Sequence, residues 1–189
     1  EFLDLISPQY VSDLVCWGAI GARTAESQVH RELTSGLSCP MGIKNSTKGD
    51  IQIAIDAIKS AQYQHVFLGT TKKGKVAIFK TSGNDDTHII LRGGLEPNYH
   101  SSDIENCRAD LEKNEVNANI MVDFSHGNSQ KNHENQKKVS ASICDQIASG
   151  NKDIIGVMIE SHLKEGNQKI SEDMELSLIH ISEPTRRLC

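Results

Sequence analysis

Short apolar runs alternate with amphipathic segments along most of this chain. The apolar runs lie at residues 17–23, 39–44, 88–92, 119–124 and 153–160. The segments between them repeat apolar residues at the spacing of a helix face, and one such stripe consists of Ile51, Ala54, Ile55 and Ile58. Strands that alternate with helices indicate parallel βαβ units, so the pattern predicts one α/β domain built on a parallel sheet.

Four segments have the helical pattern, and one segment departs from the alternation. The first helix is expected to end at Gly36, the second covers 50–62, and the fourth lies within 131–150 with Val139, Ile143 and Ile147 on its inner face. Ser102 and Glu105 predict a capping box that opens the third helix, which turns Ile104, Cys107 and Leu111 inward. Residues 65–81 read as a β-hairpin outside the main sheet.

Composition restricts the function classes. The chain has 189 residues, a net charge of -5 and no apolar stretch near the roughly 20 residues that cross a bilayer. We therefore expect neither a membrane partner nor general nucleic-acid binding, because no broad basic face is available for phosphates. Five cysteines without a CxxC pair favour a reducing, cytoplasmic location.

Each of the five predicted parallel strands ends close to a charged or metal-binding residue. These residues are Arg23, Lys44, Arg92, His126 and Glu160. A (β/α)8 barrel places catalytic groups at the carboxyl ends of its strands, whereas a doubly wound sheet concentrates ligands at one switch point. The pattern therefore favours a partial (β/α)8 barrel with roughly five core strands and a hairpin excursion.

The residue types at the strand ends indicate the chemistry. Arg23, Lys44 and Arg92 would form a cationic cluster suited to phosphate or carboxylate. His126 and Glu160 supply an imidazole and a carboxylate, which can begin a divalent metal site. The direction in which Asp123 faces is left open by the sequence. A single strand-end cation is usually only solvated and a lone histidine is usually structural, so the functional interpretation depends on the coincidence of all five.

Four blocks of the chain resemble the signature blocks of a known family. WGAIGARTAESQVHRELTSGLSCPMGIKN, HIILRGGLEPNY, MVDFSHGNS and IIGVMIESHLKEGNQ resemble the microbial 3-deoxy-D-arabino-heptulosonate 7-phosphate (DAHP) synthases of the short, amino-acid-regulated class. The resemblance extends from Glu1 to about Asn167. It implies a (β/α)8 barrel that condenses phosphoenolpyruvate with erythrose 4-phosphate to DAHP and phosphate, the first step of the shikimate pathway.

The resemblance also implies roles for individual residues. Arg23, Lys44 and Arg92 match the residues that bind phosphoenolpyruvate, and His126 and Glu160 match two metal ligands. Lys44 and His126 are the expected catalytic residues. The metal would be a divalent ion, with Mn²⁺, Fe²⁺, Co²⁺ and Zn²⁺ all compatible with such ligands.

Some family blocks are absent from the chain. The Gly-Pro-Cys-Ser and Ser-Ile-Thr-Asp blocks, which carry the other two metal ligands, do not occur, and neither do the Arg and Lys residues of the second strand. We therefore interpret residues 1–175 as the C-terminal part of a catalytic barrel and residues 176–189 as a non-native tail. This fragment is expected to be inactive alone.

The family resemblance further implies feedback regulation and assembly. Relatives bind an aromatic amino acid away from the active site, at positions that correspond here to Pro8, Gln9, Ser38, Phe67 and Gly69. Gly69 stands where phenylalanine-regulated relatives have serine, which favours tyrosine over phenylalanine as the effector. A homodimer or homotetramer is the expected assembly.

Two other functions remain open at this level. One is a different phosphoenolpyruvate-condensing or aldolase barrel, in which Lys44 would form a Schiff base from an apolar pocket. The other is a non-catalytic truncated product that binds an amino acid or partner subunits without turnover.

Overall fold

The structure is a computed structural model, and it describes residues 8–10 and 12–161. Within these residues the strands and α-helices follow the order β1 (Gly18–Ile20), α1 (Gln28–Ser35), β2 (Met41–Lys44), α2 (Gln52–Gln62), β3 (Val66–Thr70), β4 (Val76–Lys80), β5 (Thr87–Leu91), α3 (Ser101–Lys113), β6 (Ile120–Asp123), α4 (Gln136–Ala148) and β7 (Ile154–Met158). Short 3₁₀ turns lie at Pro8–Tyr10, Ser12–Leu14 and His133–Asn135. Strands and helices therefore alternate as the apolar pattern predicts.

The main sheet has five parallel strands in the order β1-β2-β5-β6-β7. Each strand pairs with the sheet strand that precedes it in the chain, so the order does not reverse at a switch point within the described residues. The α/β fold class, the parallel sheet and its five strands are confirmed. All five strands point the same way, so their carboxyl ends share one edge.

The two faces of the sheet differ in character. One face carries Met41, Ile43, Ile89, Leu91, Ile120 and Val122, which are buried in a single apolar cluster with the helices. Burial of each such side chain contributes about 2 kcal/mol. Side chains alternate along a strand, so the other face carries Gly42, Lys44, His88, Ile90 and Asp123. This second face bears the polar groups of the candidate site.

The helix ends test the capping predictions. Helix α1 ends at Gly36 as predicted, and the N–H of this glycine donates to Leu33 O at 3.1 Å. The predicted capping box at Ser102 and Glu105 is wrong. The N-cap is His100, two residues before Ser102, so helix α3 begins at Ser101, and the Asp103 carboxylate accepts from the backbone N–H of His100 at 2.9 Å.

The inner faces of α3 and α4 were predicted with one error. Ile104, Cys107 and Leu111 are fully buried, as expected. In α4 Val139 and Ile143 are buried, but Ile147 is 46% exposed. The four-residue spacing of that stripe drifts around a helix with 3.6 residues per turn, which turns its last member away from the core.

Strand β7 is more exposed than its composition suggests. An apolar run without polar alternation is typical of a strand covered on both faces, but Ile155, Val157 and Ile159 are about half exposed. Strand β7 is last in the sheet, and within the described residues no helix packs over that face as α2 does over β2 and β5.

The hairpin is confirmed as an excursion from the sheet. Strands β3 and β4 pair only with each other, and they are antiparallel. Phe67 and Phe79 stack on one face with ring centroids 5.9 Å apart, and the other face exposes Leu68 and Ile78. None of the helices in the described portion of the chain is long and apolar enough to cross a bilayer.

Candidate metal and anion site

The carboxyl edge of the sheet gathers the polar residues that the sequence places at strand ends. Lys44 is the last residue of β2 and Asp123 is the last residue of β6. His126 follows β6 by three residues, and Glu160 follows β7 by two. Lys44 and Asp123 are almost completely buried, while His126 and Glu160 are partly accessible.

Four of these side chains form one ion network. Lys44 Nζ lies 2.8 Å from Asp123 Oδ2 and 3.2 Å from Glu160 Oε1. His126 Nδ1 lies 2.9 Å from Asp123 Oδ2, and His126 Nε2 lies 3.5 Å from Glu160 Oε2. The network thus joins β2, β6 and β7, and it gives the buried ammonium two carboxylate partners.

The charge state of Asp123 follows from its neighbours. Burial by itself would raise the pKa of this carboxyl, but the hydrogen bond from His126 and the charge of Lys44 outweigh burial and lower the pKa to about 2. Asp123 is therefore a carboxylate at neutral pH, and it neutralises the buried Lys44.

His126 is fixed by the backbone turn that follows β6. Its φ is +56°, a left-handed conformation that is uncommon for a residue other than glycine. The turn is closed because Gly127 N donates to Arg92 O at 3.0 Å and Lys131 N donates to His126 O at 2.9 Å. The imidazole is therefore directed at the site by backbone bonds as well as by Asp123.

Ser125 and Gln136 hold the backbone of Glu160. The N–H of Glu160 donates to Ser125 Oγ at 2.9 Å. The Gln136 amide donates to Ser125 Oγ at 3.1 Å and to Glu160 O at 3.2 Å. Helix α4, which begins at Gln136, is thereby tied to the end of β7.

Three amide side chains tie the ends of β2, β5 and β6 around Arg92. The N–H of Arg92 donates to Asn45 Oδ1 at 2.8 Å, and Asn98 Nδ2 donates to the same atom at 3.3 Å. Asn98 N donates to Asn128 Oδ1 at 2.8 Å, and Asn128 Nδ2 donates to Asp123 O at 2.8 Å. Arg92, only 7% exposed, also donates from Nη1 to Gly93 O at 3.3 Å.

The loops behind Arg92 and His126 approach each other at glycines. A Cβ built on Gly94 would lie 2.5 Å from Gly49 Cα, and one built on Gly127 would lie 2.7 Å from Gly94 N. Such distances exclude any side chain unless the backbone moves. The three loops that follow β2, β5 and β6 are therefore closely packed against one another at the carboxyl edge.

The structure brings together some of the predicted site residues. Lys44, His126 and Glu160 are in contact, and Arg92 lies at the same edge two residues beyond Ile90, the register partner of Lys44. Arg23 lies three residues beyond the end of β1, in an exposed turn in which Thr24 N donates to Gly21 O.

Sequence reasoning left Asp123 undecided and missed the residues that support the site. Asp123 proves to be the centre of the ion network, and Asn45, Asn98, Ser125 and Asn128 position the strand ends. Asn45 directly follows the last residue of β2 and Ser125 lies two residues beyond β6, so a polar residue close to a strand end was the available signal. No local signal marks Asn98, which lies in a loop.

The donor set is suited to a divalent metal. One ligand atom each from Asp123, His126 and Glu160 lies within 4.8 Å of the others, and all three come from the carboxyl edge of the sheet. Imidazole nitrogen and carboxylate oxygen together suit Mn²⁺, Fe²⁺, Co²⁺ and Zn²⁺. The residues present therefore fit a metal, with His126 Nε2 and a Glu160 oxygen facing each other.

The residues expected to bind an effector lie in the first 3₁₀ turn, in the loop before β2 and in β3. Pro8 is buried and lines a small cavity with Ile20, Leu33 and Met41. Ser38 is exposed, and Gln9 is partly exposed. A Cβ built on Gly69 would lie 2.9 Å from the Phe79 ring, so a serine at this position would press against that ring.

Fold and site together define an α/β protein with a metal-compatible cluster at the carboxyl edge of a parallel sheet. The sequence model of the DAHP synthetase I family matches residues 1–186, and the chain belongs to this family. The resemblance read from the four sequence blocks is thus confirmed.

Named relatives agree with this assignment. The chain is 58% identical over 177 residues to phospho-2-dehydro-3-deoxyheptonate aldolase, Phe-sensitive, of Escherichia coli (strain K12), covering 94% of this chain and 51% of that protein. It is 52% identical over 170 residues to the Trp-sensitive protein of the same strain, covering 90% and 49%. The chain thus spans about half the length of these curated relatives.

A solved structure gives the same result. The phospho-2-dehydro-3-deoxyheptonate aldolase of Francisella tularensis SCHU S4 matches with a TM-score of 0.84 and 55% identity. The match covers 92% of this chain and 51% of that protein.

Proposed function

We propose that this chain carries the phosphoenolpyruvate- and metal-binding half of a DAHP synthase, which condenses phosphoenolpyruvate with erythrose 4-phosphate and releases phosphate. The observation that supports this most strongly is the contact among Lys44, Asp123, His126 and Glu160 at the carboxyl edge. Membership of the DAHP synthetase I family supports it independently.

The sheet is proposed to be part of a (β/α)8 barrel. Its strand order follows the chain without reversal, which is the order of a barrel and not that of a doubly wound sheet. Residues 1–175 would form the C-terminal part of the catalytic barrel. Residues 176–189 lie outside the described residues, and their interpretation as a non-native tail stays a prediction.

Arg92, Lys44 and Arg23 are proposed to bind phosphoenolpyruvate. A ligand with a phosphate and a carboxylate needs several cations, and guanidinium groups can hold either anion through paired hydrogen bonds. Arg92 would be held in place through Asn45, and Lys44 through the two carboxylates. Arg23, in its exposed turn, would reach the ligand from the β1 side.

His126 and Glu160 are proposed as metal ligands, and Lys44 and His126 as catalytic residues. When bound, a divalent ion would supply Lewis-acid polarisation of the aldehyde oxygen of erythrose 4-phosphate. The chain's own residues would bind and orient the substrates: Lys44, buried at the end of β2, places its ammonium beside Glu160. The ions proposed for this site are Mn²⁺, Fe²⁺, Co²⁺ and Zn²⁺.

Regulation by an aromatic amino acid is proposed for the region of Pro8, Gln9, Ser38, Phe67 and Gly69. The names Phe-sensitive and Trp-sensitive of the relatives support an aromatic effector. Tyrosine is the effector that we propose for this chain, and a homodimer or homotetramer in the cytoplasm is the proposed assembly and location.

A chimera tests the proposed reaction. Residues 1–167 replace the matching segment of the Phe-sensitive E. coli relative, and phosphate release from phosphoenolpyruvate plus erythrose 4-phosphate is measured with and without Mn²⁺. The chimera should be active, His126→Gln and Glu160→Gln should lose at least about 100-fold, and exposed His133→Gln should change little. A folded but inactive chimera would contradict the proposal.

A Schiff-base aldolase is the competing enzyme, and the site disfavours it. A nucleophilic lysine needs a neutral amine in an apolar pocket, whereas Lys44 Nζ lies between Asp123 and Glu160. Borohydride treatment of the chimera with either substrate should therefore leave the mass of Lys44 unchanged. A reduced adduct on Lys44 would favour the aldolase instead.

A further inference from the structure

Both oxygens of Asp123 are engaged by groups of the protein. Oδ2 accepts from Lys44 Nζ at 2.8 Å and contacts His126 Nδ1 at 2.9 Å. Oδ1 accepts from the backbone N–H of Ser125 at 2.8 Å. The side chain is completely buried, and these three partners engage three of the roughly four lone-pair sites of the carboxylate.

This arrangement selects one tautomer of His126. A carboxylate can only accept hydrogen bonds, so the proton between the two side chains belongs to His126 Nδ1. In a neutral imidazole the other nitrogen, Nε2, is then an unprotonated acceptor. Nε2 lies 3.5 Å from Glu160 Oε2, so two acceptor atoms face each other. A cation between them would satisfy both.

Lys44 orients the carboxylate of Glu160 in a similar way. Its ammonium contacts Asp123 Oδ2 and Glu160 Oε1, and this leaves Glu160 Oε2 on the side of His126. Asp123 therefore touches, directly or through Lys44, every side chain of the ion network.

We propose that Asp123 is a positioning residue that holds His126 as the Nδ1–H tautomer, with Nε2 turned toward the metal, and is not itself a metal ligand. The inference rests on the proposed function only in assuming that a metal binds at His126 and Glu160. Carboxylates that orient ligating histidines in this way raise metal affinity about 10- to 100-fold.

Direct coordination by Asp123 is the alternative that distances alone would allow. Its nearest ligand atom lies within 4.8 Å of those of His126 and Glu160. Oδ2, the oxygen next to His126, however, already has two partners, so a metal bound to it would displace the ammonium or the imidazole, and a single lone-pair site is left on Oδ1. The positioning role keeps all three contacts.

The first test uses the unaltered 189-residue chain. Long-range ¹H–¹⁵N spectra of histidine-labelled protein distinguish the two tautomers, and the His126 signals are assigned by their absence in His126→Gln. The Nδ1–H form is expected for His126. The Nε2–H form as the main species would overturn the proposal.

The second test compares Asp123→Asn with Asp153→Asn, a control that removes a carboxylate paired with Arg108 away from the site. Asp123→Asn should increase the Nε2–H fraction of His126 and weaken Mn²⁺ binding, measured by the EPR signal of free Mn²⁺, about 10- to 100-fold. Asp153→Asn should change neither. Unchanged tautomer and affinity in Asp123→Asn would contradict the positioning role.

The two proposals fail in distinguishable ways. If the unaltered chain shows the Nδ1–H form and Asp123→Asn shifts it, but no variant binds Mn²⁺, the positioning of His126 stands and the metal site of the proposed function fails. If Mn²⁺ binds through His126 and Glu160 while the tautomer is Nε2–H, the metal site stands and the role of Asp123 fails.

Discussion

At the scale of single residues, two buried groups carry the strongest electrostatic consequences. Lys44 lies at the carboxyl edge between two carboxylates, and His88 lies on the same face of the sheet, earlier along its strand. Their environments are opposite, because Lys44 has charged partners while burial acts alone on the pKa of His88. The first environment predicts that stability depends on the charge of Lys44, and the second predicts that stability depends on pH.

Removal of the Lys44 charge should destabilise the fold. Lys44→Met leaves Asp123 buried without its ammonium partner, and loss of one partner of a buried ion pair costs about 3–5 kcal/mol in the free energy of unfolding. Exposed Lys72, which pairs with Asp13, provides the control, and Lys72→Met should cost less than about 1 kcal/mol. Urea unfolding of both variants measures the difference, and equal effects would contradict the network.

His88 should make stability decrease on mild acidification. Burial lowers the pKa of His88 from 6.5 to about 4, and Trp17 Nε1 donates to its Nε2 at 3.1 Å. The unfolded chain therefore binds a proton below about pH 6.5 that the folded chain binds only near pH 4. This linkage removes at most about 3 kcal/mol of stability between those values and nothing above them.

The variant His88→Gln isolates this effect from the other titrating groups. The difference in unfolding free energy between the unaltered chain and the variant should shrink as the pH falls from 7 to 4.5. A difference that stays constant over this range would show that His88 is not the group responsible.

At the scale of elements, the strands were predictable because their apolar runs are local. The burial of β2, β5 and β6 on both faces agrees with runs that do not alternate. The start of α3 was missed because Asp103 and Glu105 are both acidic residues that can accept from an N-cap N–H, and Asp103 accepts from His100. The outer face of β7 was missed because exposure depends on strand order, which no local pattern contains.

The site was predictable in part for the same reason. Strand-end positions identified Lys44, His126 and Glu160, because parallel strands bring their carboxyl ends to one edge. Asp123 contacts Lys44, which is 79 positions away in the chain, and the amides around Arg92 join three separate loops. Such contacts exist only after folding.

Because the loops that follow β2, β5 and β6 are closely packed, adding one methyl group there should strongly lower the stability of the fold. Gly94→Ala places a Cβ against the Gly49 backbone and should cost at least about 2 kcal/mol, because two backbones must separate. Gly156→Ala is the matched control, since its Cβ would meet only the end of the flexible Met121 side chain at 3.1 Å. Thermal unfolding of both should show a much lower midpoint for Gly94→Ala alone.

At the scale of the whole molecule, one sheet edge concentrates the chemistry. The five parallel strands all end there, and the hairpin of β3 and β4 is not part of this sheet. The chain spans about half the length of its curated relatives. At this edge we propose that His126 and Glu160 bind one metal ion beside Lys44 and Asp123.

Paramagnetic broadening by Mn²⁺ tests metal binding at His126 and Glu160 most directly. In the ¹H–¹⁵N spectrum of the 189-residue chain, trace Mn²⁺ should broaden the backbone amides of Ser125, Gly127 and Ser161 and leave those of Gly18 and Ile154, at the opposite edge, sharp. The selective broadening should disappear in the double variant His126→Gln, Glu160→Gln. Broadening spread over exposed acidic residues, or unchanged in that variant, would contradict the site.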